Sequence, residues 1–346
     1  MPPLLEVDDL HMHFFTRDGV VKAVDGVSFT LEAGHTLGVV GESGSGKSVT
    51  ALSIMRLVPE PPGKVVQGDI RFKGESILAM PEKDQRALRG NRIAMIFQDP
   101  MTSLNPVHRI GKQIAEPLRI HKNMSKDDAW AAAVELLRQV GIPQAAERAR
   151  QYPHEFSGGM RQRAMIAMAL ACGPDILIAD EPTTALDVTI QAQILELMQE
   201  IQQRTESAII MITHDLGIVA DMADHILVMY AGKAVEFGTA DDVFYRPLHP
   251  YTLGLLESLP RHDVDEKGAL CPIKGLPPSL IHLPRGCAFH PRCEFAQSVC
   301  RSSVPPLAEI SPGHFSSCHF ASDSAFVERL ASRACYVSSA PSGGGR

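Results

Sequence analysis

The sequence predicts an α/β protein with a largely parallel sheet. Short apolar runs alternate with amphipathic stretches up to about residue 240, as strands and helices do in α/β proteins. Each predicted strand is apolar throughout, which is typical of strands covered on both faces. A glycine-rich segment follows the first of them. The predicted strands are Thr36–Val40, Ile93–Phe97, Ile176–Ala179, Ala208–Ile212 and Ile226–Met229.

Composition favours a folded chain of more than one packed unit. Hydrophobic residues make up 45% and charged residues 21% of the chain, which is typical of globular proteins rather than disordered ones. A length of 346 residues predicts two or more packed units. The net charge of -7 argues against sequence-independent binding to nucleic acid or anionic lipid.

No segment has the pattern of a signal peptide or a membrane span. Residues 1–15 include three acidic side chains and lack a long apolar core. The most apolar stretch, Ala164–Ala179, is interrupted by Gly173, Pro174 and Asp175, and a spanning helix needs about 18 apolar residues. We therefore expect a cytosolic or peripheral protein, in which cysteines are thiols or metal ligands rather than disulfides.

The local composition and periodicity of the sequence predict three parts of the chain. Residues 1–245 form the first domain, with a helical insertion at about 101–170 that contains a helix over Ala129–Val140, begun by Ser125. Residues 246–320 are rich in proline, glycine and cysteine and predict an irregular C-terminal extension with one helix, Tyr251–Leu259. Residues 321–346 form a tail, whose Ser/Gly-rich end is predicted to be disordered.

The segment from Gly41 to Ser48 fits the P-loop pattern G-x-x-x-x-G-K-[ST]. It follows a predicted strand and precedes a predicted helix over Val49–Leu57, which is the context that the pattern requires. Its glycines let backbone N–H groups surround a phosphate at a helix N-terminus. Lys47 would bind the β- and γ-phosphates, and Ser48 the magnesium ion. The sequence therefore predicts a nucleoside triphosphate site.

Two further segments are suited to the chemistry of such a site. Asp180 and Glu181 end a predicted parallel strand, where an acid can hold magnesium and a neighbouring one can orient water. The alternative is a solvated pair of turn acids. A second anion-binding helix start follows Ser157, with two glycines after it. Two such starts in one chain are explained if each serves a different copy of the site.

Six segments together resemble, in order and spacing, the ATPase subunits of the ABC transporter family. They are Gly41–Ser48, Gln98, Ser157–Met160, Asp180-Glu181, Ala185-Leu-Asp187 and His214. The resemblance covers about residues 4 to 320. It implies a RecA-like P-loop NTPase core and a head-to-tail dimer in which Lys47 of one subunit and Ser157 of the other bind one ATP. Phe156 and Met160 depart from the commonest signature, and neither change removes a phosphate-contacting serine or glycine.

The resemblance also implies residue roles. Glu181 is the general base, His214 the switch histidine on the γ-phosphate, and Gln98 the loop residue that senses nucleotide and membrane subunits. Magnesium is held by Ser48, Gln98 and Asp180. Phe14 is expected to stack on adenine, and the other nucleotide-binding residues are Gly41, Glu42, Ser43, Gly44, Ser45, Gly46, Lys47, Ser48, Val49 and Asp180. The residues facing the partner's ATP are Ser157, Gly158, Gly159 and Met160. Asp187 lies in the loop that joins the two sites.

Three segments are similar to the oligopeptide/dipeptide importer branch of that family: Phe97–Pro106, Asp180–Ile190 and His249–Leu255. The similarity implies a peptide importer whose partners are a second, related ATPase, two membrane permease subunits and a substrate-binding protein. Nickel or a glutathione-like compound remains an alternative cargo. An ABC ATPase acting on nucleic acid and a metabolite kinase are rivals from other classes; the kinase leaves Ser157–Gly159 without a role.

Four of the seven cysteines lie within 32 residues of a proline-rich segment. A metal centre would give such a segment the order that a core does not. Gaps of five, six and seventeen residues do not match the paired cysteines usual at zinc sites. The importer-branch resemblance implies a four-iron–four-sulfur cluster, with zinc, aided by His290, His314 or His319, and unliganded thiols as alternatives. The cysteines are Cys287, Cys293, Cys300 and Cys318.

Overall fold

The computed structural model describes residues 3–184, 187–259 and 273–334, which form twelve strands and thirteen α-helices. The strands are β1 Leu5–Thr16, β2 Gly19–Leu31, β3 Thr36–Val40, β4 Gly63–Phe72, β5 Glu75–Ser76, β6 Ile93–Ile96, β7 Ile176–Asp180, β8 Ala208–Thr213, β9 His225–Tyr230, β10 Lys233–Thr239, β11 Ala308–Ser311 and β12 His314–Ser316. The helices are α1 Lys47–Ile54, α2 Glu82–Leu88, α3 Pro100–Ser103, α4 Ile110–His121, α5 Lys126–Gln139, α6 Ala145–Arg148, α7 Gly158–Leu170, α8 Val188–Thr205, α9 Leu216–Ala220, α10 Ala240–Tyr245, α11 Pro250–Glu257, α12 Ser298–Ser302 and α13 Ser324–Arg333.

The chain divides into two compact units, the first made chiefly of Leu31–Thr36 and Phe72–Ile212. Its strands run in the order β6-β7-β8 and are parallel, with Ile178 opposite Met95 on one side and Ile210 on the other. Strands β6 and β7 are buried along their whole length, which explains their continuous apolar sequence. Since parallel strands end at one edge of a sheet, residues after β6 and β7 share that edge.

Helices α3 to α7 lie between β6 and β7 in the chain, so the predicted helical insertion contains helices and no strand. Ser125 caps α5 by accepting a hydrogen bond from the N–H of Asp128, as its sequence context predicts. The eighteen-residue helix α8 was not foreseen. Its N-cap is Asp187, whose carboxylate accepts a hydrogen bond from the N–H of Ile190.

The second unit comprises chiefly Glu6–Thr30, Leu37–Arg71 and Thr213–Arg346. One of its sheets has the order β2-β1-β4, and the other β11-β12-β10-β9-β3. In the second sheet β3 and β9 are parallel, while β9, β10, β12 and β11 pair antiparallel. Burial in β1 and β2 falls largely on alternate residues, so each strand has one covered face.

Several expectations from the sequence need correction. The five predicted strands are present with ends within one residue, but the longer β1, β2 and β4 were missed and the sheets are mixed rather than largely parallel. The segment after residue 246 contains α12, β11, β12 and α13 besides the predicted helix, and β12 pairs with β10. The predicted disorder of Ser338–Arg346 falls outside the described residues. In the described part of the chain, no helix is long and apolar enough to cross a membrane.

Candidate functional site

The loop between β3 and α1 has a backbone that only glycine adopts readily. Gly41 has a φ of 151° and Gly46 a φ of 105°. A Cβ atom at Gly41 would lie 2.2 Å from the carbonyl oxygen of Met229, and one at Gly46 would lie 2.3 Å from that of Ala23. Any side chain at either position would displace the loop. These two close approaches are the physical reason for the glycine spacing of the motif.

The inside of this loop has the groups that a phosphate needs. Lys47, the first residue of α1, is buried, and its Nζ donates to the carbonyl oxygens of Gly41 at 2.7 Å and Glu42 at 3.0 Å. The hydroxyl of Ser45 is buried with no hydrogen-bond partner among the described residues. Ser43 and Gly44 form the exposed tip, and Ser48 and Val49 continue the first helical turn. The helix N-terminus adds a field that favours an anion here.

Glu42 is held by residues that sequence analysis did not single out for the site. Its carboxylate accepts from both terminal nitrogens of Arg292, at 2.5 and 2.9 Å, and its backbone N–H donates to the hydroxyl of Tyr251 at 2.7 Å. The pairs are about 210 to 250 positions apart, and no local pattern indicates them. Because its N–H and its carboxylate are both hydrogen-bonded, Glu42 is held firmly at the start of the loop.

The structure brings Gln98 and Glu181 together at the ends of β6 and β7. The carboxylate of Glu181 accepts from Nε2 of Gln98 and from the hydroxyl of Thr184, each at 2.9 Å. Glu181 has a φ of 48°, which is unusual for a residue with a side chain and is a feature of functional sites. Its N–H donates to the carbonyl of Ile212 at 2.9 Å, which holds this conformation. Asp180, one residue before, is 6% exposed.

The segment that begins with Ser157 opens a helix, α7, as predicted. Ser157 is the N-cap, and its hydroxyl accepts from the N–H of Met160 at 3.4 Å. Ser157 and Gly158 are exposed, and a Cβ at Gly158 would meet no atom within 4 Å, so this end of the helix is open. Gln162, which sequence analysis missed, is buried and donates to the carbonyl of Pro182 at 2.6 Å. It ties α7 to the segment that follows Glu181.

The structure places the other residues that were predicted to bind nucleotide as follows. Phe14 is half-buried, and a Cβ at Gly63 would lie 3.3 Å from its ring, while the next residue, Phe15, is 51% exposed. His214 is exposed directly after β8. The second unit contains Phe14, His214 and the predicted phosphate-binding loop, Gly41–Ser48. The first unit contains Gln98, Ser157, Asp180, Glu181 and Asp187.

Cys287, Cys293, Cys300 and Cys318 all line one cavity, which aromatic side chains also line. Burial raises the pKa of the Cys293 and Cys318 thiols to about 12, and raises that of Cys287 as well. Such thiols need a cation nearby to ionise. Three sulfurs accept a hydrogen bond from the backbone N–H two residues on: Phe289 for Cys287, Phe295 for Cys293 and Phe320 for Cys318. Hydrogen bonds to sulfur are a feature of cluster-ligating cysteines.

The histidines near these cysteines have separate roles. His314 is buried, and its Nε2 lies 2.9 Å from the carboxylate of Glu236, so it does not face the cysteine cavity. Glu236 is 0% exposed and also accepts from the N–H groups of Leu248 and His249, at 2.7 and 2.9 Å. His249 caps α11 through its Nδ1, and burial lowers its pKa to about 3, so it is neutral. His290 and His319 do line the cavity.

Comparison with known families agrees with these motifs. Residues 24–184 match the model described as "ABC transporter". Residues 235–300 match the model described as "Oligopeptide/dipeptide transporter, C-terminal region". The second match covers the segment that contributes Glu236, His249 and Tyr251 to the second unit.

Relatives match over nearly their whole length. The chain is 55% identical over 316 residues to the oligopeptide transport ATP-binding protein OppD of Salmonella typhimurium, covering 91% of this chain and 93% of that protein. The Bacillus subtilis protein of the same name is 54% identical over 312 residues, covering 90% and 87%.

Solved structures agree with the fold. A dimeric, post-hydrolysis ATP-binding cassette, MJ0796, bound to ADP and Pi has a TM-score of 0.62 at 23% identity, covering 68% of this chain and 98% of that one. The cbiO1 protein from Clostridium perfringens, part of the ABC transporter complex cbiONQ, has a TM-score of 0.59 at 26% identity, covering 70% and 91%. The chain therefore belongs to the ABC transporter family, among the ATP-binding subunits of its oligopeptide/dipeptide branch.

Proposed function

We propose that this chain is the ATP-hydrolysing subunit of an ABC importer that takes up di- and oligopeptides. The observation that carries the proposal is the loop Gly41–Ser48, where the Lys47 ammonium bonds a loop carbonyl and the buried Ser45 hydroxyl has no hydrogen-bond partner among the described residues. The names of the relatives, which are oligopeptide transport ATP-binding proteins, support peptides as the cargo.

Binding of ATP would change the partners of Lys47. Its ammonium now bonds carbonyls of the loop, and a β- and γ-phosphate pair would take these hydrogen bonds because a charged acceptor binds an ammonium more strongly. Ser48, Asp180 and Gln98 would hold the magnesium ion through oxygen ligands. The ion would neutralise charge on the phosphate that is transferred to water.

Glu181 is proposed as the general base. Gln98 and Thr184 donate to one of its carboxylate oxygens and so orient the carboxylate, which can accept a proton from the attacking water. Because Gln98 touches the base, a shift of the Gln98 loop would change the position of the base. This contact offers a physical route by which membrane subunits that press on the loop could govern hydrolysis.

The exposed start of α7 is proposed to face the ATP of a second subunit in a head-to-tail dimer. Ser157 and the N–H groups of Gly158, Gly159 and Met160 form a helix N-terminus that can bind a γ-phosphate. Asp187 would lie in the loop that joins the two sites. The partner ATPase is proposed to be related but not identical to this chain.

The assembly also includes two permease subunits and an extracytoplasmic substrate-binding protein, and this chain would lie at the cytoplasmic face of the inner membrane. His214 is proposed to bind the γ-phosphate, and Phe14 to stack on adenine. Phe15, which is more exposed, is the matched control: Phe14→Ala should weaken nucleotide binding and Phe15→Ala should not. The proposed RecA-like core occupies residues 1–245, with its helical subdomain at about 101–170, followed by the cysteine-containing extension at 246–320 and a tail at 321–346.

The four cysteines are proposed to ligate one four-iron–four-sulfur cluster that holds the C-terminal segment together. Their shared cavity and the backbone donors to three sulfurs support such a group. A single zinc ion held by the same cysteines is the alternative.

The cargo is tested in the assembled transporter. The chain should be co-expressed with the permease, partner-ATPase and binding-protein subunits and reconstituted in proteoliposomes. We expect a mixture of di- and oligopeptides to raise ATP hydrolysis and to enter the vesicles. Stimulation by nickel or by glutathione alone would instead support the alternative cargo. Hydrolysis that is stimulated by nucleic acid and needs no permease would overturn transport.

A further inference from the structure

The phosphate-binding loop and the cysteine cavity are connected by a small set of buried contacts within the second unit. The connection starts at Glu42, whose carboxylate pairs bidentately with Arg292. Arg292 directly precedes Cys293, and its side chain is only 5% exposed, against 27% for Glu42. The hydrogen bonds to Glu42 raise the pKa of the Arg292 guanidinium further above its ordinary value, so the guanidinium stays charged. A bidentate, mostly desolvated pair of this kind has one preferred geometry.

A second contact fixes the backbone of the same residue. The N–H of Glu42 donates to the hydroxyl of Tyr251 at 2.7 Å, and the carbonyl of Glu42 accepts from Lys47 at 3.0 Å. Both peptide groups of Glu42 are therefore held. Since the peptide planes that follow supply the N–H groups facing phosphate, the orientation of this first plane sets the shape of the loop.

Aromatic packing extends the connection to the cysteines. The rings of Tyr230, Tyr251 and Phe289 lie with centroids 4.6 to 5.4 Å apart, and the guanidinium of Arg292 lies 5.9 Å from the centre of the Phe289 ring. Phe289 also lines the cysteine cavity. A disturbance of the cavity would thus reach Arg292 through the chain at Cys293 and through the Phe289 ring.

We propose that Arg292 and Tyr251 are positioning residues for nucleotide binding. They hold Glu42 in place, and a change in the cysteine cavity would act through them on the affinity of the phosphate-binding loop for ATP. The inference rests on the proposed function, since it presumes that the loop binds ATP. It assigns the cysteine segment a role in ATP binding that goes beyond holding the segment together. Neither residue needs to touch the nucleotide.

The first test measures binding of magnesium AMP-PNP to the full-length chain by isothermal titration calorimetry. Arg292→Met, which keeps most of the apolar stem of the side chain and removes the guanidinium, should raise the Kd about tenfold or more, since a hydrogen bond to a charged group contributes about one to two decades in affinity. Arg292→Lys should be intermediate because it keeps the charge and loses the fork. Tyr251→Phe should also raise the Kd. Arg333→Met, which breaks ion pairs to Glu257 and Glu294 in the same segment, should leave it unchanged.

Coupling between the residues separates positioning from general destabilisation. The Glu42→Gln and Arg292→Met double variant should bind nucleotide as weakly as either single variant, because one interaction is lost in all three. Thermal melting without nucleotide should place Arg292→Met close to Arg333→Met. In the assembled transporter, Arg292→Met should raise the KM for ATP and leave kcat little changed.

The contribution of the cysteine cavity is tested both in the parental chain and in the Arg292→Met variant. Cys293→Ser should raise the Kd for AMP-PNP in the parental chain and add no further loss to Arg292→Met. Equal losses in both backgrounds, or parental affinity in both Arg292→Met and Tyr251→Phe, would overturn the inference. If the parental chain binds no nucleotide, the proposed function itself fails. If the parental chain binds nucleotide and Lys47→Ala does not, the proposed function stands, and the inference is then decided by the affinities of the Arg292 and Tyr251 variants.

Discussion

Replacing Glu181 by glutamine should separate ATP binding from hydrolysis. General-base catalysis contributes about 10²- to 10⁴-fold, or about 3 to 6 kcal/mol of barrier at about 1.4 kcal/mol per tenfold. Gln98 and Thr184 orient the Glu181 carboxylate, and the amide of a glutamine in its place cannot accept a proton from water. The contacts of Lys47 with the loop do not involve residue 181, so nucleotide affinity should be unchanged.

The assay uses single-turnover hydrolysis in the reconstituted transporter, together with AMP-PNP binding to the isolated chain. Glu200→Gln is the matched control, since Glu200 is an exposed glutamate in α8 and should keep the parental rate. Trapping of an ATP-bound closed dimer is expected for Glu181→Gln alone. Hydrolysis by Glu181→Gln within about tenfold of the parental rate, below the range for a general base, would refute the role of Glu181.

Other predictions follow from the same geometry. Lys47→Ala should weaken AMP-PNP binding to the isolated chain, whereas Ser157→Ala should leave that binding intact and abolish hydrolysis in the assembled dimer; equal losses of affinity would contradict the composite site. Cys300→Ser should lose iron and make the segment after residue 284 sensitive to protease, measured by metal analysis and limited proteolysis, while Cys172→Ser should do neither; colourless protein with one zinc per chain would exclude the cluster. Glu236→Ala leaves three buried donors unpaired and should lower the free energy of unfolding by about 3 kcal/mol or more, so an unchanged urea midpoint would contradict the role of this carboxylate.

Short motifs were predicted well because their chemistry is local. The P-loop needs glycines where the backbone has positive φ or meets another chain segment, and Gly41 and Gly46 satisfy both conditions. The start of α5 needed only Ser125 and the N–H three residues later. Buried parallel strands such as β7 are short and apolar throughout, so they were located to within one residue.

Longer strands were missed for an equally physical reason. In β1 the buried Leu10 and Met12 alternate with histidines, and such a half-covered strand lacks a continuous apolar run. The elements β11 and β12 are short, and β12 gains its stability by pairing with β10 about eighty residues earlier. The spacing of apolar residues within a strand does not indicate which distant strand it will pair with.

The sequence by itself determined that this chain binds a nucleoside triphosphate, because the phosphate-binding loop, Asp180 with Glu181, and the start of α7 each depend on a few neighbouring residues. Only the tertiary structure decided what surrounds those motifs. It brought Gln98 and Thr184 to Glu181, Arg292 and Tyr251 to Glu42, and four cysteines to one cavity. The physical reason is that these contacts bring together residues from distant parts of the chain, and their partners are set by packing and burial rather than by spacing.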